Sequence, residues 1–112
     1  MDNRLYDEYV GGDMSKIDFD DNELELMADR FKMLSECSRL KIIRSLFNGE
    51  KSVTGIVESS GLLQANVSKQ LKLLQNHGIV ECRPEGLLRY YRLVDFTIKR
   101  ICSAVCAIDK KE

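Results

Sequence analysis

The chain has a single histidine, a single proline, four irregularly spaced cysteines and no long apolar run. Without a stretch of roughly 20 apolar residues it has nothing to span a bilayer. Its acidic first residues lack the basic start and apolar core of a signal peptide, so a cytoplasmic protein is expected. In that compartment, cysteines at these spacings are thiols or ligands rather than a disulfide frame. One histidine (His77) leaves no paired-histidine metal site and no base beside a thiol. No nucleophile motif appears, so the chain does not read as an enzyme. The acidic run from Asp18 to Glu25 lacks the central glycine and spacing of a calcium loop.

At 112 residues the length suits one domain with its own small core. The net charge is −1, but it is unevenly spread. Residues 1–37 carry four basic and eleven acidic side chains, residues 38–100 eleven basic and five acidic, and the last twelve balance. A basic excess confined to one segment is the footprint expected of a phosphate-binding surface.

Residues 1–20 hold dense acids and the Gly11-Gly12 pair without periodicity, and read as a disordered acidic tail; Met14 offers an alternative start. Residues 21–110 then form the folded domain. Asp20 or Asp21 can cap a first helix over about 22–34, in which Leu24, Met27, Phe31 and Leu34 keep helical spacing. Ser35 is expected to cap a second helix, with Leu40, Ile43 and Leu46-Phe47 buried and Asn48-Gly49 as its stop. Ser52 opens a third helix, Val53 to Ser60, closed by Gly61.

After a link of a few residues, residues 64–77 make an amphipathic helix. Val67, Leu71 and Leu74 form its apolar stripe, widened by Leu73, and Gly78 ends it. The opposite face offers Gln64, Asn66, Ser68, Lys69 and Lys72. Amides pair with adenine and lysines with guanine in the major groove, and a short link between two helices is the mark of a helix-turn-helix. The next residues read as two strands around a turn with Pro84 second and Gly86 fourth. Arg83, Arg89 and Arg92 on this hairpin suit phosphates. Asp95 can cap a last helix to about Ile108 with Ile98, Ile101, Cys102, Val105 and Ile108 in one stripe. The architecture expected is mainly α with a β-hairpin wing: five helices, a two-stranded wing, and a homodimer built from the spare apolar faces of the first and last helices. Such a dimer would place two readers one DNA turn apart on an inverted-repeat operator.

The segments Phe31-Lys32-Met33-Leu34-Ser35, Ser38-Arg39-Leu40-Lys41-Ile42-Ile43 and Val67-Ser68-Lys69-Gln70-Leu71-Lys72-Leu73-Leu74 resemble, in order and spacing, the ArsR/SmtB family of winged-helix repressors. So do His77-Gly78-Ile79-Val80 and Glu85-Gly86 leading to Tyr90-Tyr91-Arg92-Leu93. The resemblance implies a homodimer released from its operator by an inducer, in that family a metal or metalloid ion or, in some members, an oxidant or reactive sulfur species. Two family metal sites are missing. The third helix has no Cys-x-Cys, and no histidine follows Asp95. Leu63 stands where the family often has a capping Ser, forfeiting about 1 kcal/mol.

The remaining thiols are the inducer candidates. Cys102 and Cys106, four apart on one helix, have Cβ atoms about 5–6 Å apart, too far for the roughly 3.5–4.5 Å of a relaxed disulfide. A soft metal or metalloid ion held by Cys37, Cys102 and Cys106 fits thiolate chemistry. A redox or sulfur-bridged switch using Cys37 is the alternative, and plain packing a third. Cys82 reads as strand packing and His77 as a helix-end cap. No cofactor is required. From another class, a thiol or metal-handling protein that does not bind DNA would use the same Cys102 and Cys106.

Overall fold

A computed structural model describes residues 18–109, and side chains as far as residue 106. The helices are α1 (Asp21–Met33), α2 (Cys37–Ser45), α3 (Val53–Ser60), α4 (Gln64–Asn76) and α5 (Phe96–Asp109). The strands are β1 (Lys51–Ser52), β2 (Val80–Glu85) and β3 (Leu88–Leu93), antiparallel in the order β1-β3-β2. Most of the expected acidic tail, residues 1–17, lies outside the described residues.

Local chemistry sets most boundaries. The Asp20 carboxylate accepts from the Glu23 amide at 2.8 Å and starts α1. Ser52 Oγ accepts from the Gly55 amide and starts α3. Asp95 Oδ1 accepts from the Thr97 and Ile98 amides and starts α5. Each satisfies an amide that the first turn leaves without a carbonyl. The expected Ser35 cap is not made. Ser35 Oγ donates instead to the Lys32 carbonyl, closing α1, and Glu36 precedes α2 without a side-chain cap. α2 also stops earlier than Asn48-Gly49, at Ser45. There the Lys51 ammonium donates to the Ser45 carbonyl and Asn48 Oδ1, holding the following turn.

The end of α4 is a Schellman motif: Gly78 takes φ 71°, its amide donates to the Gln75 carbonyl, and the Ile79 amide donates to the Leu74 carbonyl. His77 Nδ1 lies 2.9 Å from the Leu73 carbonyl, the helix-end role expected of it.

The core joins Ile42 and Ile43 of α2, Ile56 of α3, Val67, Leu71 and Leu74 of α4, Ile79, Val80 and Ile98, all essentially buried. Each such side chain stabilises the fold by about 1.5–3 kcal/mol relative to exposure. Val67, Leu71 and Leu74 therefore fix the roll of α4, and with it the face that α4 turns outward. Leu40 is not on the buried side of α2 as expected; it is exposed, and Ile42 takes its place in the core. From α1 only Met33 reaches the buried cluster, while Leu24 and Phe31 are about half exposed.

Two features of the sheet depart from the sequence reading. β1 adds a third, two-residue strand, with Lys51 opposite Tyr91 and Ser52 opposite Tyr90. The hairpin turn lies two residues later than expected. Pro84 sits within β2 opposite Arg89, and Gly86-Leu87 are the turn, with Gly86 alone at positive φ (61°). Glycine as the first central residue is the type II′ pattern, whose twist matches the ribbon, whereas a turn led by Pro84 would splay it. β2 is an edge strand, where proline's missing N–H is tolerated.

Candidate nucleic-acid interface

With Val67, Gln70, Leu71 and Leu74 buried, α4 turns outward Gln64, Ala65, Ser68, Lys69, Lys72, Gln75 and Asn76. Gly61, at φ 75°, and Leu62-Leu63 form the three-residue link from α3 to α4. This is the length of a helix-turn-helix link. Gln64, Ser68, Lys69 and Lys72, four of the five α4 residues singled out from the sequence, lie on the outward face. None of their side chains has a hydrogen-bonding partner among the described residues. They are open to a ligand.

Asn66 is the exception. Half buried against α2, it donates through Nδ2 to Ser38 Oγ at 3.4 Å and accepts through Oδ1 from Gln70 Nε2 at 3.2 Å. It belongs to a polar network that the sequence reading missed. Gln70, almost fully buried, also donates to Glu36 Oε1 at 3.0 Å. Arg39, 9% exposed, donates to Gln70 Oε1 (3.1 Å), Glu36 Oε2 (2.9 Å) and the carbonyls of Met33 (2.8 Å) and Lys32 (3.2 Å). No buried side-chain polar atom among the described residues lacks a partner. A fully satisfied network of this kind fixes geometry that apolar packing leaves free to slide. It ties α4 to α2 and to the end of α1. The available signal was Gln70 standing between Val67 and Leu71 on the apolar side of α4, where an amide needs a buried partner.

The three wing arginines do not share one face. The pairing places Glu81, Arg83 and Glu85 with Arg92, Tyr90 and Leu88 on one side of the ribbon, and Cys82 and Pro84 with Tyr91 and Arg89 on the other. Arg83 donates to both carboxylate oxygens of Glu50 (2.6 and 3.4 Å) and to Glu85 (3.1 Å), and lies 4.9 Å from the Tyr90 ring centroid. These bonds hold the Glu50 carboxyl below its ordinary range. Arg92 pairs with Glu81 at 2.8 Å. Only Arg89 of the three is exposed without an ion pair among the described residues. Tyr91 faces the core; burial, then its hydrogen bond with Cys82, raise its hydroxyl above the ordinary value.

Of the four cysteines, Cys82 lies within the wing, on the ribbon face that carries Arg89. Cys102 and Cys106 line an apolar cleft of about 350 Å³ with Leu34, Leu40, Phe47 and Val105. Burial, then the neighbouring Cys106, push the Cys102 thiol up from its ordinary value. Cys37 is exposed at the start of α2 and does not line the cleft. No three His, Cys, Asp or Glu side chains among the described residues of one chain could hold an ion. The three candidate thiols are therefore not brought together within a single subunit.

A family model described as "Bacterial regulatory protein, arsR family" matches residues 37–81, from α2 through the start of the wing. The chain is 34% identical over 82 residues to the uncharacterized HTH-type transcriptional regulator MJ1325 of Methanocaldococcus jannaschii, covering 72% of this chain and 92% of that protein. It belongs to the arsR family of bacterial regulatory proteins. It is also 33% identical over 82 residues, 73% of its length, to the HTH-type transcriptional regulator Rv0324 of Mycobacterium tuberculosis, of which it spans only 36%. Two examples stand for the solved structures that share the fold. One is the AntR antimony-specific transcriptional repressor, at a TM-score of 0.76 and 27% identity over 88% of this chain and 93% of that one. The other is the homodimeric winged helix-turn-helix DNA-binding domain Mb0332 of Mycobacterium bovis, at 0.71 and 29% over 83% and 89%.

The chain is thus an arsR-family winged helix-turn-helix regulator of transcription. Within that frame α4 is the second helix of the helix-turn-helix and β2-β3 is the wing. Of the eight residues singled out as DNA contacts, Gln64, Ser68, Lys69, Lys72 and Arg89 are exposed and have no hydrogen-bonding or ion-pair partner among the described residues. Asn66, Arg83 and Arg92 are engaged within the arsR-family fold itself.

Proposed function

We propose that this regulator represses transcription in the cytoplasm by occupying an inverted-repeat operator as a homodimer. Lys69 and Lys72 meet phosphate or guanine, Gln64 and Ser68 meet base edges, and Arg89 meets the backbone beside them. The observation that carries this reading is the outward face of α4, polar and basic with no side-chain partners among the described residues, and tied to α2 by the Arg39–Gln70 network. Dimerisation through α1 and α5 is supported by the exposure of Leu24, Phe31 and Val105, together with the homodimeric state named for the Mycobacterium bovis domain. No helix among the described residues is long and apolar enough to cross a membrane, which agrees with a partner in solution.

The inducer in this proposal is a thiol-ligating species, a soft metal or metalloid ion, acting at Cys102 and Cys106, with Cys37 completing the set across the dimer. Two thiols in one apolar cleft and the antimony response in the name of AntR support it. A redox or reactive-sulfur response at the same thiols is the alternative. Gel shift on the DNA upstream of the chain's own gene, with and without antimonite, arsenite, cadmium or polysulfide, tests the whole. Lys69→Ala is expected to weaken the shift and lower the slope of log affinity against log salt by about 0.9. An unchanged affinity and slope would remove Lys69 from the interface. Release that persists after Cys102→Ser with Cys106→Ser would dismiss the thiol inducer alone.

A further inference from the structure

The wing tip is apolar where a turn is ordinarily polar. Leu87, second residue of the two-residue turn, is 104% exposed, and its neighbour Leu88 is 53% exposed. Turns favour glycine, asparagine, aspartate or serine, and nothing in the fold requires leucine at this position. The surroundings indicate what the tip meets. Arg89 projects from one face of the ribbon without an ion pair among the described residues, and Arg83 from the other. β2 continues directly from the end of α4 through Ile79, so the wing flanks the helix. In the docking proposed above, with α4 in the major groove, a wing packed beside that helix is carried toward the adjoining phosphate ridge and minor groove.

A leucine gains nothing from a phosphate. A tight hairpin, with strands about 4.8 Å apart, can present its tip to a minor groove about 6 Å wide, whose walls are deoxyribose C–H groups. At A·T pairs the groove floor is free of donors. At G·C pairs the guanine 2-amino group protrudes and would be desolvated against an apolar side chain.

We propose that Leu87 is a specificity-determining contact that enters the minor groove beside each recognition helix and selects A·T over G·C pairs there. This rests on the DNA-binding reading above. The test uses a duplex selected from a random pool by the purified full chain, with the base pairs under the wing located by hydroxyl-radical footprinting. Those pairs are then made A·T, G·C or inosine·C. Inosine lacks the 2-amino group, so its minor groove matches A·T while its major groove matches G·C.

Wild-type chain is expected to bind the A·T and inosine·C duplexes alike and about fivefold to tenfold more tightly than G·C, the low end of what one wrong base pair costs. Leu87→Ala and Leu87→Asn should bring all three within twofold of each other at an unchanged salt slope, since no charge is lost. Leu87→Met should keep the preference. Equal wild-type binding to inosine·C and G·C, or a preference surviving both Leu87→Ala and Leu87→Asn, overturns the proposal and leaves DNA binding intact. Failure to select any duplex sinks the DNA-binding reading and this inference with it.

Discussion

Replacing Arg39 with alanine isolates the network that holds the recognition helix. The guanidinium supplies the only hydrogen bond to the Met33 carbonyl among the described residues, and it donates to the buried Gln70 Oε1. Removing it orphans both acceptors, at about 1–3 kcal/mol each. The other two partners count for less. The Lys32 carbonyl keeps the Ser35 hydroxyl at 2.6 Å, and the Glu36 carboxylate, 46% exposed, rehydrates. The two orphans sum to about 2–6 kcal/mol, and about 3 kcal/mol is taken as the working value. With a urea slope of roughly 1 kcal/mol per molar for a chain of this size, the unfolding midpoint should fall by about 3 M. The assay is urea denaturation followed by circular dichroism, at one fixed protein concentration because dimerisation is linked to folding. Arg39→Lys, which keeps the charge but not the planar fork, should recover less than half of the loss. A midpoint for Arg39→Ala within about 0.5 M of wild type would refute the claim that these bonds carry the α2–α4 contact.

Three further outcomes follow from the same geometry. Glu50→Ala with Glu85→Ala removes both carboxylates that engage Arg83; a freed Arg83 should tighten duplex binding and steepen the salt slope by about 0.9, and a slope no steeper than wild type would argue against it. Leu63→Ser supplies the side-chain acceptor that the start of α4 lacks, so the midpoint of thermal unfolding should rise with about 1 kcal/mol of added stability; no rise would mean that backbone or solvent already serves those amides. For Cys102, burial favours the neutral thiol, so its folded pKa exceeds the unfolded value. The stability it contributes is full below the ordinary thiol range and is lost as pH rises through the raised value. Urea midpoints of wild type should therefore fall faster above about pH 9 than those of Cys102→Ala, and its alkylation rate should climb at higher pH than that of an unhindered thiol. Parallel stability curves would contradict this sign.

Much of the chain could be read without coordinates because the signals are local. A cap acts over three residues, as Asp20, Ser52 and Asp95 do, and an apolar stripe such as Val67-Leu71-Leu74 repeats within two helical turns. The basic excess of residues 38–100 likewise needs only counting. Such terms place five helices, the wing and the outward residues Gln64, Ser68, Lys69 and Lys72. Partnership between distant residues is another matter. Asn66 reads as a base contact until Ser38, 28 residues earlier, is found beside it. Arg83 reads as a phosphate contact until Glu50, 33 residues earlier, takes its guanidinium. β1 is too short to show a period and exists only because β3 lies alongside it. A polar side chain's freedom to meet DNA depends on what the folded chain brings within hydrogen-bonding distance, and composition and periodicity do not record that. Local patterning identifies the helix and the face that turn outward; long-range packing settles which polar groups on that face, and which wing arginines, keep no partner among the described residues.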